Sequence, residues 1–126
     1  MSPPGGLAAR QAALVESLVA GGPDPAGLDP VRLDATRRAL LRKRAGEAAR
    51  HWPLLAAGFG AEWTAFATRV LADRPVAGGL QDGWDVARAA LGRLTEGARR
   101  ELRARERSHR YTGDGPPRPR RLRLPW

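Results

Sequence analysis

The chain has 126 residues and a formal net charge of +9, and it contains no cysteine. A chain of this length fits one domain that buries about two thirds of the surface of its unfolded state. The lack of cysteine excludes disulfides, thiolate catalysis and cysteine-based metal sites, and no apolar run approaches the roughly 20 residues that cross a bilayer. The N-terminus also lacks a basic region followed by a hydrophobic block, so we expect a cytoplasmic protein without membrane attachment.

The positive charge is concentrated near the C-terminal end. Up to Ala98, twelve basic and ten acidic residues give +2, whereas ten basic and three acidic residues from Arg99 onward give +7. Lys43 is the only lysine, and the guanidinium group of arginine bonds phosphates and carboxylates bidentately. Because Ala, Pro and Gly are also abundant and share GC-rich codons with Arg, anion recognition and genome composition remain alternative explanations of this bias.

The N-terminal part of the chain begins with a Pro/Gly-rich segment, residues 1–6, which we expect to be flexible. Apolar residues at helical spacing then predict a helix over residues 7–19. Gly21 and Gly22 would end that helix, and the segment 21–30 has the composition of a turn-rich connection.

A long central helix is predicted next. Asp29 and Pro30 have the residue types of an N-cap and a first helical residue, and Asp34 offers a second possible start. The helix should run to about His51, because Pro53 lacks a backbone donor and disfavours the α conformation of the residue before it.

The central helix has an apolar side and a basic side. Spacings of four, three and four place one set of residues on a single face: Leu41, Ala45, Ala48 and Trp52. The basic residues fall largely elsewhere: Arg37, Arg38, Arg42, Lys43 and Arg50. One side can therefore enter a core while the other meets something acidic.

Two aromatic-bearing segments follow the central helix. Pro53 can open a short helix that Gly58 and Gly60 would close, and a further helical pattern ends at Pro75. Their large aromatic residues, together with the last residue of the apolar stripe, suggest one packed core rather than a ligand cage: Trp52, Phe59, Trp63 and Phe66.

The last two helices are predicted from capping residues and apolar spacing. Asp82 is a good N-cap for a helix whose stripe would contain Trp84, Ala87, Leu91 and Leu94. Thr95 can cap a final helix over residues 96–107, whose apolar side is thin, with Ala98 and Leu102 alone. Most of this helix must therefore be solvated or in contact with a partner.

From Ser108 the sequence is rich in Arg and Pro and has no helical stripe, which is typical of an extended or disordered tail. No strand alternation occurs anywhere. The predicted fold class is all-α: a single compact bundle of five to six helices over residues 7–107, with a basic, disordered C-terminal tail over residues 108–126.

No catalytic, cofactor or metal site is predicted. His51 and His109 are far apart and lack acidic neighbours at metal-ligand spacing. Asp82 and Asp85 lie three apart at a helix start, where the helix dipole favours negative charge, so a structural role explains them better than an acid/base pair. The serines are isolated and no glycine-rich phosphate loop is present, so we expect a protein that is not an enzyme.

Binding is the class of function that remains. It can involve the basic side of the central helix and the Arg-rich C-terminal end. Arginine tracts attract phosphate backbones independently of the nucleotide sequence. The alternative interpretation of residues 99–107 is a solvated helix stabilised by ion pairs such as Glu101 with Arg105. The candidate residues for binding a protein partner or nucleic acid are Arg37, Arg38, Arg42, Lys43, Arg99, Arg100, Arg103, Arg107, Arg118, Arg120, Arg121, Arg123 and Trp126.

The block over residues 37–75 carries a family resemblance. Its elements are the Trp52-Pro53 step, Gly60, Trp63 and Pro75. These are similar to the helical domain, described as DNA-binding, at the N-terminus of HvfC/BufC-type proteins, and more closely to a group of actinobacterial proteins built on the same block. The resemblance implies an accessory role. The chain would help a multinuclear iron oxygenase of the DUF692 type to engage a ribosomally made precursor peptide.

Two functional hypotheses follow. The first is a non-enzymatic helical adaptor without a cofactor of its own, which binds a partner protein, plausibly an oxygenase encoded nearby. The second is weak, sequence-independent nucleic-acid binding through residues 99–123. Attachment to a membrane surface is disfavoured, because the basic helix has too little bulk on its apolar side.

Overall fold

The structure is a computed structural model that describes residues 29–121. The flexible start and the helix predicted for residues 7–19 lie outside the described residues, as do Arg123 and Trp126.

The central helix, α1, spans Pro30–His51. The side chain of Asp29 accepts a hydrogen bond from the backbone nitrogen of Val31 at 2.9 Å, and Pro30 occupies the first turn, where its missing donor costs nothing. The next helix begins at Pro53, so both predicted ends of α1 are confirmed.

Within residues 29–121, four more helices follow α1. They are α2 at Pro53–Phe59, α3 at Trp63–Leu71, α4 at Gly79–Ala89 and α5 at Glu96–Ser108. Single 3₁₀ turns at Gly60–Glu62 and Leu91–Arg93 connect neighbouring helices. Thr95 caps α5 by accepting from the nitrogen of Ala98 at 3.2 Å, as predicted.

The start of α4 differs from the prediction. Asp82 is not the N-cap, because the helix already begins at Gly79 and Asp82 lies in its first turn, buried. A side chain at Gly79 would place its Cβ 2.7 Å from the carbonyl oxygen of Glu47, so the glycine allows α4 to approach α1 closely. The carboxylate of Asp82 forms an ion pair with a buried arginine and does not cap the helix.

The segment after α5 contains a short β-ribbon, so a disordered tail is not confirmed for its described part. Strands β1 at His109–Arg110 and β2 at Arg118–Pro119 pair antiparallel, with His109 opposite Pro119. Tyr111 is buried to 6% exposure against the helices. A single aromatic anchor leaves no periodic pattern, which is why the sequence did not reveal this ribbon.

The helices pack around one continuous core. Helix α1 lies against α4 and α3, and α5 packs mainly on α2. The aromatic residues form two groups in and beside this core: Trp52 meets Trp84 edge-on at 5.6 Å, and Phe59 contacts Trp63 at 5.9 Å and Phe66 at 4.7 Å between ring centroids. The core prediction is confirmed for Trp52 and Trp63, whereas Phe59 and Phe66 are only partly buried against the core, and the ring partner of Trp52 comes from α4. No helix in the described range is long and apolar enough to span a membrane.

Candidate binding surfaces

The buried charges of the domain are used to hold its helices together. Arg44 binds both carboxylate oxygens of Asp82, with Nε–Oδ2 at 3.1 Å and Nη2–Oδ1 at 3.0 Å. The same guanidinium donates to the carbonyl oxygens of Leu71, Arg74 and Pro75 at 3.3, 2.8 and 3.1 Å. This group fastens the end of α3 and the following loop to α1, and its donors are not free for a ligand.

Glu101 has a similar structural task. Its carboxylate accepts from the backbone nitrogens of Leu54 at 3.0 Å and Leu55 at 2.8 Å, so it caps the N-terminus of α2 from the neighbouring helix. The predicted pair of Glu101 with Arg105 is therefore wrong. Arg105 lies over the ring of Trp52, 5.6 Å from its centroid, and donates to the carbonyl oxygen of His51.

A third cluster anchors the β-ribbon. The hydroxyl of Tyr111 donates to Asp85 at 2.5 Å, and the guanidinium of Arg74 lies 3.6 Å from the same carboxylate. Burial, and then the hydrogen bond to the Asp85 carboxylate, raise the pKa of Tyr111 to about 12. Arg88 lies over the Tyr111 ring at 4.5 Å and donates to the backbone oxygen of the same residue.

The arginines of α1 contribute to an open groove between α1 and α3, of about 500 Å³. We call it the α1/α3 groove; it is lined by Arg38, Leu41, Arg42, Ala61, Thr64, Ala65, Thr68 and Arg69. Two predicted residues, Arg38 and Arg42, thus line the same groove as Arg69, which is not among the residues predicted from the sequence. Arg69 follows Arg42 by 27 positions on another helix, so no local spacing could have found it.

The other two predicted residues of α1 do not line this groove. Lys43 is exposed and Arg37 is half-buried. Arg38 also pairs with the carboxylate of Asp34 one turn earlier, across a solvent-exposed face.

The predicted arginines of α5 are partly neutralised by their own helix. Arg99 and Arg103 both approach the Glu96 carboxylate, at 3.8 and 3.5 Å. Arg100 and Arg107 are exposed. Of the basic surface predicted on this helix, these last two arginines have no carboxylate partner within residues 29–121.

In the ribbon, Arg120 is exposed, but its side chain is held by hydrogen bonds to the end of α5. Its Nε donates to the carbonyl oxygens of Glu106 at 2.7 Å and His109 at 3.2 Å, and its backbone nitrogen donates to Ser108 at 2.9 Å. These bonds satisfy carbonyl groups at the end of α5, where a cation is favoured by the helix dipole. Arg118 and Arg121 remain exposed.

A second, smaller groove of about 200 Å³ lies between α2 and the start of α5. Its floor contains Leu55, Phe59 and Leu94, and Glu62 and Arg93 contribute charges of opposite sign. Residues 29–121 hold no cluster of three His, Cys, Asp or Glu side chains that could bind a metal ion.

These features define a small, mostly helical domain whose buried charges hold its helices together and whose surface carries exposed arginines. The chain belongs to the SCO6045-like, C-terminal domain family, whose sequence profile matches residues 8–92. The matched range contains α1 to α4 and the α1/α3 groove, whereas α5 and the ribbon follow it.

A relative shows the same module in a longer protein. A UPF0276 protein of Streptomyces avermitilis is 41% identical over 101 residues, which cover 77% of this chain and 21% of that protein. The chain therefore spans about one fifth of the length of this relative. The similarity to an actinobacterial group is confirmed at this level, and no solved structure matches the chain.

Proposed function

We propose that this chain is a non-enzymatic adaptor that binds a larger partner protein. The proposal rests on the length of the UPF0276 relative. The aligned region makes up 21% of that protein, and the family is described as a C-terminal domain. In such relatives the module is joined to a much larger polypeptide. A surface that contacts that polypeptide is the simplest reason for the two to occur together.

The charges of the domain support contact rather than chemistry. The buried carboxylates of Asp82, Asp85 and Glu101 are each held by hydrogen bonds to arginine, tyrosine or backbone groups. A carboxylate fixed in this way is a poor general base, since its lone pairs are already engaged. The exposed arginines have the opposite character: they are solvated, and Arg42 and Arg69 have no carboxylate partner within residues 29–121.

The class of partner comes from the resemblance of residues 37–75 to HvfC/BufC-type proteins. It implies an oxygenase of the DUF692 type, in which the partner would hold the iron centre and this chain would assist in engaging the precursor peptide. We place the complex in the cytoplasm and assign the adaptor no cofactor of its own.

Co-expression with the DUF692-type oxygenase encoded nearest to this chain, followed by affinity purification and size-exclusion chromatography, tests the adaptor. We expect the two proteins to elute together. A matched control uses an oxygenase of the same class from an unrelated gene cluster, which should not be retained. Elution of this chain apart from its neighbour under all salt conditions would rule out the adaptor function.

A second candidate is sequence-independent nucleic-acid binding, and exposed arginines outside the family-matched range favour it. Arg100, Arg107, Arg118 and Arg121 are exposed, and no carboxylate pairs with them in the part of the chain that the structure describes. Such binding would weaken steeply with salt. Reversal of charge at Arg100 and Arg107 should then reduce both the affinity for duplex DNA and the slope of log affinity against log salt; an unchanged slope would reject this candidate.

A further inference from the structure

We propose that the α1/α3 groove binds an acidic amphipathic helix of the partner. This inference rests on the proposed adaptor function, because it identifies the contact surface and the kind of segment that the surface accepts. Arg38 and Arg42 of this groove are predicted binding residues, whereas Arg69 and the small residues between them are not.

The floor of the groove is shaped for a helix. Ala61, in the 3₁₀ turn before α3, and Ala65, on α3, are four positions apart and line the groove together with Leu41 from α1. The two alanine side chains are small and leave space at the bottom of the groove. A third helix can therefore place larger side chains between α1 and α3. Peptide helices that dock in this way use apolar anchors at positions i, i+3, i+4 and i+7.

The walls of the groove select for negative charge. Arg38 and Arg42 stand one turn apart on α1, and Arg69 stands on α3. Within residues 29–121, Asp34 is the one carboxylate that pairs with any of them, and it pairs with Arg38 at a side-chain exposure of about 60% for both groups. Arg42 and Arg69 are left for carboxylates of a bound segment, and the guanidinium fork favours such bidentate contact.

The dimensions agree with a short helical segment. The lining residues on the α3 side run over nine positions, from Ala61 in the preceding 3₁₀ turn to Arg69, which corresponds to about 13 Å along the helix axis. A peptide of about 16 residues spans about 24 Å as a helix and covers the groove with one turn to spare at each end. The volume of the α1/α3 groove, about 500 Å³, is also larger than that of the second groove, between α2 and the start of α5.

The test uses the whole chain and a displayed library of random peptides of about 16 residues. We expect the selected peptides to be acidic and to carry apolar residues at helical spacing. The affinity of the best peptide, measured by fluorescence anisotropy, should fall at least about tenfold for Ala65→Trp, which fills the groove, and for Arg42→Glu with Arg69→Glu. The same peptide with its glutamates replaced by lysine should not bind.

Matched controls separate this groove from general charge attraction. Arg100→Glu with Arg107→Glu makes the same change of net charge on α5 and should leave peptide affinity unchanged. Circular dichroism and thermal unfolding establish that each variant is folded. No selected peptide, a selection without acidic bias, or equal loss of affinity in both double variants would overturn the proposal.

Other occupants give different results. Binding that appears only after Leu14→Glu with Leu18→Glu would assign the groove to the N-terminal segment of this chain, and a dimer that Ala65→Trp dissociates would assign it to a second copy; either result overturns the proposal. Copurification with the oxygenase that Ala65→Trp leaves intact would reject the groove but keep the adaptor. Peptide binding without copurification would reject the adaptor but keep the groove.

Discussion

Arg44 and Asp82 are 38 positions apart in the chain and form a buried, bidentate ion pair that joins α1 to α4. Their side chains are 9% and 3% exposed. The remaining donors of Arg44 bind three backbone carbonyl groups at the end of α3 and in the loop after it, so one side chain connects three helices.

Removal of one partner of this pair should destabilise the domain severely. Arg44→Met leaves the Asp82 carboxylate buried without its counter-ion, and such a change costs about 3–5 kcal/mol of unfolding free energy. Urea unfolding followed by circular dichroism measures it. Asp82→Leu in addition to Arg44→Met should cost less than the sum of the single changes, and additive costs would contradict the ion-pair account. Arg38→Ala breaks an exposed pair and should cost less than about 1 kcal/mol.

Glu101 should contribute to stability through the backbone of α2. Glu101→Ala leaves the nitrogens of Leu54 and Leu55 without their acceptor and should cost about 1–3 kcal/mol in urea unfolding. Glu101→Gln keeps one acceptor oxygen and should recover part of this loss. Glu106→Ala is the matched control on the same helix, because its side chain is exposed. Equal costs at the two glutamates would show that the cap is not stabilising.

The two ends of α1 and the start of α5 could be predicted from the sequence, because local chemistry determines them. Asp29 and Pro30 start α1, Pro53 follows its end, and Thr95 caps α5, each through a contact within a few residues of itself. The fold class follows from the same periodic patterns.

The tertiary roles of charged residues could not be predicted in this way. Asp82 has the residue type and position of an N-cap, yet its partner is Arg44 on another helix. Glu101 could pair with Arg105 by spacing, but its carboxylate reaches back 46 and 47 positions to α2. The groove arginines pose the same difficulty, since Arg69 joins Arg42 only through the packing of α3 on α1.

Two glycines should respond oppositely to the same substitution. Gly83 faces the fully buried Trp52, and a Cβ there would lie 2.1 Å from Cδ1 of the indole ring. Gly83→Ala should therefore cost about 3 kcal/mol or more, the upper range of overpacking in a core. Gly46 lies on the exposed side of α1 with nothing within 4 Å of a Cβ, so Gly46→Ala should add about 1 kcal/mol. Thermal unfolding of both variants checks the signs, and a stable Gly83→Ala protein would mean that α4 can shift away from Trp52.

Tyr111 should make the stability of the domain sensitive to alkaline pH. It is the only tyrosine of the chain, so the ultraviolet absorbance of the phenolate reports its ionisation alone. Burial and the Asp85 carboxylate raise its pKa to about 12, above the value of 10.0 of an unperturbed tyrosine. A pKa raised by folding means that the contribution to stability is complete below pH 10 and is lost as the pH rises toward 12.

Tyr111→Phe tests this linkage. The variant loses the hydrogen bond to Asp85 and should be less stable than the wild type at neutral pH, by about 1–2 kcal/mol. Because phenylalanine does not ionise, the stability difference between the two proteins should shrink between pH 10 and 12, as measured by urea unfolding at each pH. A difference that stays constant over this range, or a Tyr111 that titrates at pH 10 in the folded protein, would show that the ribbon does not hold this side chain against α4.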